Sequence, residues 1–470
     1  MSPFEGVVTL ENAIRTRQVS ASEVIEAHLA RIEQVNPALN AIIVSNAERA
    51  REQAVAADEA LARGEVWGPL HGVPFTLKDA HATAGLRTTS GYPQLADYVA
   101  ETDSTVAARL KAAGGILLGK TNVPMMLGDY QCNSPIFGRT NNPWDVTRTS
   151  GGSSGGAAAA VAAGMSPFDV GTDLAGSIRV PVHFCGVFGF KPTEHRVSLH
   201  GLVPGLPPPR PIRIMSCLGP IARSVEDLAL IDSIIAGPDG FDTDVPPLVR
   251  AEVGDVRLKQ LKIAVAPTFP GLPVAEDIQR TLAGLAQLLT DEGAVVEEPA
   301  LPEIDFASDM ASVTELIMML TGANRPSEQP TTLRQYLAAL HRRDQSISAW
   351  ERFFAEWDAL LCPTAMTTAF PHCDTGSPLL VDSEEVSYWT VSAHTALFNY
   401  TGHPAVVLPC GSDHDGLPIG LQLVGRRWND TRLLAIARAV ETISGPFQRP
   451  PDIGERDAAP ESRTRMARSE

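Results

Sequence analysis

The six cysteines, Cys132, Cys185, Cys217, Cys362, Cys373 and Cys410, are scattered through 470 residues, and none forms a Cys-x-x-Cys pair. That spacing argues against a structural zinc site or a disulfide framework and for reduced thiols. The eleven histidines include no His-Glu-x-x-His or comparable cluster, so neither a metal nor any other cofactor is expected. Basic residues are outnumbered by acidic ones, 38 against 55, for a net charge of −17. So little cationic surface argues against a nucleic-acid partner and for an acidic, solvated exterior. No apolar run is long enough to span a bilayer, so no membrane partner is expected. Without a secretory pattern at the N-terminus, the expected location is the cytoplasm. There is no internal repeat and no low-complexity block.

Hydrophobic residues make up 44% and charged residues 20% of the chain, the composition of a globular protein with a large core. The length would hold two or three average domains, although large α/β enzymes often form one unit. One stretch stands apart: Thr149-Ser150-Gly151-Gly152-Ser153-Ser154-Gly155-Gly156. Its glycines permit close backbone approach, and its serines offer hydroxyls. An alanine-rich run, Ala157 to Ala163, reads as a tightly packed helix. A second glycine-flanked serine, Ser177, follows about two dozen residues after Ser153. Loop, helix and returning loop can bring the two serines together.

Ser20-Ala21-Ser22-Glu23 caps a helix with an apolar stripe that Asn36-Pro37 should end. A second helix is expected over 46–63, and a short strand over 71–79 delivers Lys78. Further along, a helix covers 105–113 and a strand 115–118. Gly114 to Thr121 satisfies the phosphate-loop pattern Gly-x(4)-Gly-Lys-Thr, but its middle is an apolar strand where that motif needs an irregular turn entering a helix. Gly152-x-Ser154-x-Gly156 fits the nucleophile elbow of α/β-hydrolases, and His394, His403 and His414 follow it. Arg148-Thr149-Ser150 is, however, a poor strand to lead into such an elbow. Prolines between 204 and 211 suggest a rigid loop. Gly237-Pro238-Asp239-Gly240 reads as a hinge toward a peripheral region. A strand at 261–266, a helix at 275–293 and a strand at 294–296 suggest a small α/β layer beside the main sheet. Helices around 306–319 and 333–342 flank a polar breaker, 321–330, that would form either a pocket lid or a surface hairpin. From 451 the chain reads as a disordered tail.

Gly-Gly-Ser-Ser-Gly-Gly, the interval to Gly171-Thr172-Asp173-Leu174-Ala175-Gly176-Ser177-Ile178-Arg179, and the continuation through Phe190-Lys191-Pro192-Thr193 resemble the amidase signature family of serine amidohydrolases. Gly72-Val73-Pro74-Phe75-Thr76-Leu77-Lys78-Asp79 matches that family's catalytic-lysine segment. The resemblance implies Ser177 as nucleophile, Ser153 as a proton relay preceded by a cis peptide bond, and Lys78 as base. Burial lowers a lysine's pKa and supplies the neutral amine this role needs. The resemblance also implies an oxyanion hole from the backbone of Leu174, Ala175, Gly176 and Ser177, and loop support from Ser154, Asp173 and Arg179. Leu127, Gly128 and Tyr130 would line the acyl pocket. Ala175 stands where the family commonly has glycine. Alanine keeps its N–H but does not readily take a positive φ.

The expected architecture is α/β: a twisted mixed, mostly parallel β-sheet sandwiched between helices. It forms one domain over residues 1–450, with a peripheral α/β and helical region at about 240–350. The expected activity is hydrolysis of a C–N acyl bond through an acyl-enzyme. Met125, Met126, Leu127 and Tyr130 favour a hydrophobic or aryl amide, anilide, carbamate or ester, with urethanase or aryl acylamidase activity in view. The expected partner is a small-molecule amide or carbamate, with no nucleic acid and with a homodimer allowed. Two alternatives stand beside this reading: a glutamine-hydrolysing subunit of a tRNA amidotransferase, and a catalytically inactive binding relative.

Overall fold

Ser20 accepts from the Glu23 N–H at 3.1 Å while Glu23 receives the Ser20 N–H at 2.8 Å, and this reciprocal cap starts the helix Ala21–Leu39. The helix does not stop at Pro37 as the sequence suggested. Pro37 lies in its last turns, and the exit is made by Asn40 in a left-handed conformation. The Asn36 side chain assists by accepting the N–H groups of Ala41 and Ile42, each at 2.9 Å. The computed structural model describes residues 1–205, 210–248, 254, 256–322 and 330–452. The anticipated tail from 453 onward therefore lies outside the described residues, as do 206–209 of the proline-rich loop and 323–329 of the breaker.

Eight strands form the main sheet, in the order Val295–Glu297, Lys262–Val265, Ala359–Pro363, Pro418–Val424, Ala405–Ser412, Phe188–Lys191, Cys217–Ala222 and Asp169–Asp173. The sheet is mixed and flanked by helices, but the expectation of mostly parallel pairing is corrected. Only the first three strands run parallel to one another, and each later pairing is antiparallel. The local cause is visible at Ala405–Ser412 and Pro418–Val424. A tight turn closed by the Asp413 N–H on Leu417 O at 2.9 Å joins them, and so short a link permits only a hairpin.

Lys262–Val265 and Val295–Glu297 also differ from expectation. They are not a separate small layer, because Ile263 pairs with Ala359 and extends the main sheet at its edge. Residues 237–240 are likewise fastened, not hinged. Arg109 donates to the carbonyls of Ile235, Ala236, Gly237 and Pro238 at 2.6 to 3.0 Å. The two later helices are Phe306–Gly322 and Leu333–Phe353, the second longer than its pattern implied.

A smaller sheet carries Lys78. Pro74–Lys78 runs parallel to Ile116–Thr121, which pairs on its other side with Ile42–Ser45. The phosphate-loop resemblance dissolves here: Ile116 to Thr121 are strand residues, and Lys120 is buried among protein groups. Between the two sheets lies the helix Gly155–Ala162, in which every residue is buried. Gly156 shows why small residues are required: a β-carbon there would sit 2.7 Å from the Asn122 carbonyl. The alanine face thus brings the Lys78 strand and the end of Asp169–Asp173 to the same serine loop. Among the described residues no helix is long and apolar enough to cross a membrane.

Candidate active site

Lys78 ends its strand with its side chain wholly buried. Its Nζ lies 2.7 Å from Ser153 Oγ, 2.8 Å from Ser154 Oγ and 2.7 Å from Thr172 Oγ1. No carboxylate stands within ion-pair distance of it among the described residues. Burial pulls its pKa from 10.5 down to about 7, against the weaker upward pull of the Asp173 and Asp169 carboxylates. A neutral amine has two N–H donors and one lone pair, and three hydroxyls match that count. Ser154 also donates to the Thr172 carbonyl at 3.3 Å, so toward Lys78 it accepts. The lone pair is left for the Ser153 or the Thr172 hydroxyl.

The Gly152–Ser153 peptide is cis. Gly152 is packed against the Asp129 carbonyl and the Tyr130 backbone, where a side chain would collide. The Ser154 N–H donates to the Ser177 carbonyl at 3.1 Å, which sets the nucleophile candidate beside the Ser153-Ser154 step. Among the described residues the Ser177 hydroxyl makes no hydrogen bond. Ser177 is half-buried, whereas Lys78 and Ser153 are fully enclosed. The closed Ser153 hydroxyl meets the buried amine, while the partly open Ser177 is tied to the same loop through its carbonyl.

Asp173 organises the turn around Ser177. It accepts the N–H of Gly176 at 2.7 Å, that of Ile178 at 3.1 Å, and the Arg179 guanidinium at 3.1 Å through both Nε and Nη2. Burial alone would raise the Asp173 pKa, but the Arg179 charge prevails and holds the carboxyl below its ordinary range. Arg179 is itself fixed by Gln422 at 3.1 Å and by Asn399. Of the four N–H groups expected from the sequence to serve as oxyanion donors, that of Gly176 is consequently engaged by Asp173. Ala175 needs no positive φ; Gly176 takes it instead, at 107°. A side chain at Gly176 would strike Thr395, so glycine is demanded one residue after the alanine.

Residues Leu127, Gly128 and Tyr130 lie in and just after the short helical turn Met125–Leu127. Leu127 is half-buried against the main core, and Gly128 faces open space: a β-carbon there would have only the Met125 carbonyl near it, at 3.5 Å. Tyr130 receives a hydrogen bond from Ser392, and its ring lies 6.1 Å from Tyr388 and 6.2 Å from Trp389. The Ser392–Thr395 segment connects Tyr130 to the loop before Ser177, since Thr395 donates to the Ala175 carbonyl at 3.3 Å.

Sequence reasoning missed Thr172, Thr395, Asn399 and Gln422. Thr172 sat inside the quoted Gly171-Thr172-Asp173 and carried a signal in its hydroxyl. The others are distant in sequence; Asn399 and Gln422 lie in segments that also resemble the family, but nothing local assigned any of the three a role. The α/β-hydrolase elbow finds no support: Ser154 is bonded to Lys78, His394 packs on Phe269, and His414 pairs with Asp277 at 2.7 Å.

The Amidase family description matches residues 23–325 and 312–434. The chain is 36% identical over 494 aligned positions to the glutamyl-tRNA(Gln) amidotransferase A subunit of Moorella thermoacetica, covering 95% of this chain and 98% of that one. Among solved structures, a chain from a vestigial protein complex linked to the origins of an s-triazine catabolic enzyme superposes with a TM-score of 0.83 at 28% identity. It covers 95% of this chain and 100% of the other. A bacterial aryl acylamidase of the amidase signature family gives 0.81 at 28% identity, covering 94% and 97%. The expected partner set is corrected by the Moorella relative, whose name ties it to a tRNA and to partner subunits. The acidic charge describes this chain's own surface and does not exclude a role beside nucleic acid within an assembly. By family match and by full-length identity, the chain belongs to the amidase signature family of C–N hydrolases.

Proposed function

We propose that the chain hydrolyses a carboxamide through an acyl-enzyme on Ser177, and that it does so as the glutamine-hydrolysing subunit of an amidotransferase acting on tRNA. The observation that carries the chemistry is the 2.7 Å contact between a buried, readily neutral Lys78 and Ser153. A serine hydroxyl needs a base to become a nucleophile. Lys78 takes the Ser153 proton as Ser153 takes that of Ser177, and Ser177 Oγ forms its bond to the substrate carbonyl carbon. The carbonyl electron pair moves to oxygen, where the N–H groups of Leu174, Ala175 and Ser177 are placed to receive it. When the adduct collapses the C–N bond breaks. The proton held by Lys78 returns through Ser153 to the departing nitrogen, which leaves as ammonia or an amine. Water then repeats the sequence on the ester and releases the acid.

The glutamine reading is supported by the near full-length identity to amidotransferase A subunits. Its test is glutamine hydrolysis by the purified chain, alone and with proteins that co-purify from its host. Ammonia release that rises with the partners supports it; no ammonia in either condition overturns it. A second reading is favoured by one observation: Tyr130, Tyr388 and Trp389 form an aromatic cluster, and Met125 and Met126, a few residues before Tyr130 in the chain, are exposed. That cluster suits a hydrophobic or aryl amide, carbamate or ester. Rapid turnover of nitroanilides or aryl carbamates without glutaminase activity would establish it in place of the first. In either case a fluorophosphonate probe should label the wild type and spare Ser177→Ala.

A further inference from the structure

Beneath the serine loop lies a layer of buried charge that the relay does not itself use. Asp169, at the start of the strand that ends in Asp173, is fully buried. Its Oδ1 accepts the backbone N–H of Lys78 at 3.0 Å, and its Oδ2 accepts the Thr121 hydroxyl at 3.0 Å. Lys120, one residue before Thr121, donates to the His81 carbonyl at 2.6 Å and to Thr88 at 3.1 Å, and lies 3.7 Å from Asp79. Asp79 in turn accepts the Thr89 hydroxyl at 2.5 Å. All of these side chains are inaccessible to solvent.

We propose that Asp169 is a positioning residue for the relay: its carboxylate anchors the backbone of Lys78 and supplies the fixed negative charge that sets how readily Lys78 takes a proton. This rests on the reading of Lys78 as the base.

The argument is one of geometry first. A hydrogen bond to the Lys78 amide fixes where the strand ends and so where Nζ reaches the hydroxyls. A carboxylate bonded to the Lys78 backbone, in an interior closed to solvent, is screened less than one at the surface. The groups facing the pair can be named from each packed element. Lys78 comes from Pro74–Lys78, and Lys120 and Thr121 from Ile116–Thr121. Cys132 comes from the loop before the serine stretch, Asp173 from Asp169's own strand, and His81 and Asp79 from the turn after Lys78. From the antiparallel neighbour, Asp169 is paired with apolar Ile221, and the helix Gly155–Ala162 contributes only glycine, alanine and valine. Cys132 is neutral, since burial pushes its thiol up to about 11, and burial drives His81 down to about 3. Asp173 is committed to Arg179. Of the charges beside Lys78, Asp169 is the anion without a guanidinium of its own. Burial raises its pKa to about 6, so it is mostly ionised at the midpoint of the Lys78 titration, near 7, and loses its charge on the acid side of it.

The test is the pH profile of kcat/KM for the full chain and its Asp169→Asn variant, with a nitroanilide or glutamine as substrate. Asparagine still accepts the Lys78 N–H but carries no charge. An anion favours the ammonium form, so removing it makes Lys78 easier to deprotonate. The acid limb should move down by about one pH unit, and the share of plateau activity kept at pH 6 should rise severalfold. A uniform drop with an unmoved limb would leave Asp169 a structural residue and overturn the proposal. Asp169→Ser, smaller and equally uncharged, should move the limb in the same direction. If Asp169→Asn does not fold, Asp169→Ser takes its place, and an unmoved limb there overturns the proposal. Lys78→Ala separates the two levels. A dead Lys78→Ala with an unmoved limb in the other variants rejects only the role of Asp169, whereas an active Lys78→Ala rejects the base itself.

Discussion

Lys78 and Lys120 stand on adjacent strands of one small sheet, both with no solvent exposure, yet their surroundings suit opposite tasks. Lys78 meets three hydroxyls, while Lys120 meets a carbonyl, a hydroxyl and the Asp79 carboxylate. Burial lowers both, Lys78 to about 7 and Lys120 to about 8, with Asp79 the chief opposing influence on Lys120. Burial therefore does not distinguish them. What does is whether the amine faces a group that can pass it a proton. Ser153, at 2.7 Å, can do so for Lys78, and the proposed relay continues from it to the half-buried Ser177. Of the partners of Lys120, the carbonyl and the carboxylate have no proton to give, and the Thr88 hydroxyl donates to the Leu86 carbonyl at 3.5 Å.

The contrast breaks most visibly under alanine. Lys78→Ala and Ser177→Ala should each lower kcat by about 10⁴-fold or more, because members of a relay fail together. The double variant should be little worse than either single one. Comparable losses in Lys120→Met, measured at the pH plateau, would erase the distinction. The expected cost there lies in stability instead. Removing Lys120 leaves Asp79 buried without its cation, a change of about 3 kcal/mol. It is readable as an earlier midpoint in urea unfolding, with plateau kcat within about tenfold of wild type.

This division was only half legible in the sequence. Lys78, Ser153 and Ser177 could be picked out because their glycine-rich surroundings form a local pattern. The family resemblance then tied that pattern to distant Lys78. Lys120 lay inside a pattern too, but a phosphate-binding one that the strand Ile116–Thr121 contradicts. The helix and strand elements followed from caps and periodicity, as at Ser20-Glu23. Pairing direction did not, since it depends on which strands meet after folding; Ile263 beside Ala359 is a contact no local window contains. The oxyanion loop failed for a related reason. Four N–H groups looked equivalent in sequence, and only the placement of the Asp173 side chain reveals that Gly176 is already engaged.

A smaller effect sharpens the comparison by pH. Activity should require neutral Lys78, so kcat/KM should fall about tenfold per unit as pH drops below about 7. A lysine base at its ordinary pKa, near 10.5, would instead give a rate still rising at pH 9. A flat profile from about pH 7 to 9 in the wild type is the expected result, and a continued rise would show that burial had not produced the neutral amine.

The smallest expected effect concerns Thr172, the third hydroxyl on Lys78. Thr172→Val keeps the shape of the side chain and removes one oxygen at 2.7 Å from Nζ. A buried hydrogen bond lost in this way costs about 1 kcal/mol, about a fivefold change in rate if it is felt wholly in the transition state. Lys78 would retain Ser153 and Ser154, so the relay would stay connected. The loss should appear in kcat with KM held, because Thr172 touches the amine and not the substrate. A change confined to KM would place Thr172 on the substrate wall. A loss as deep as that of Lys78→Ala would mean that the lysine depends on all three hydroxyls to keep its position, and that Ser153 alone does not hold it.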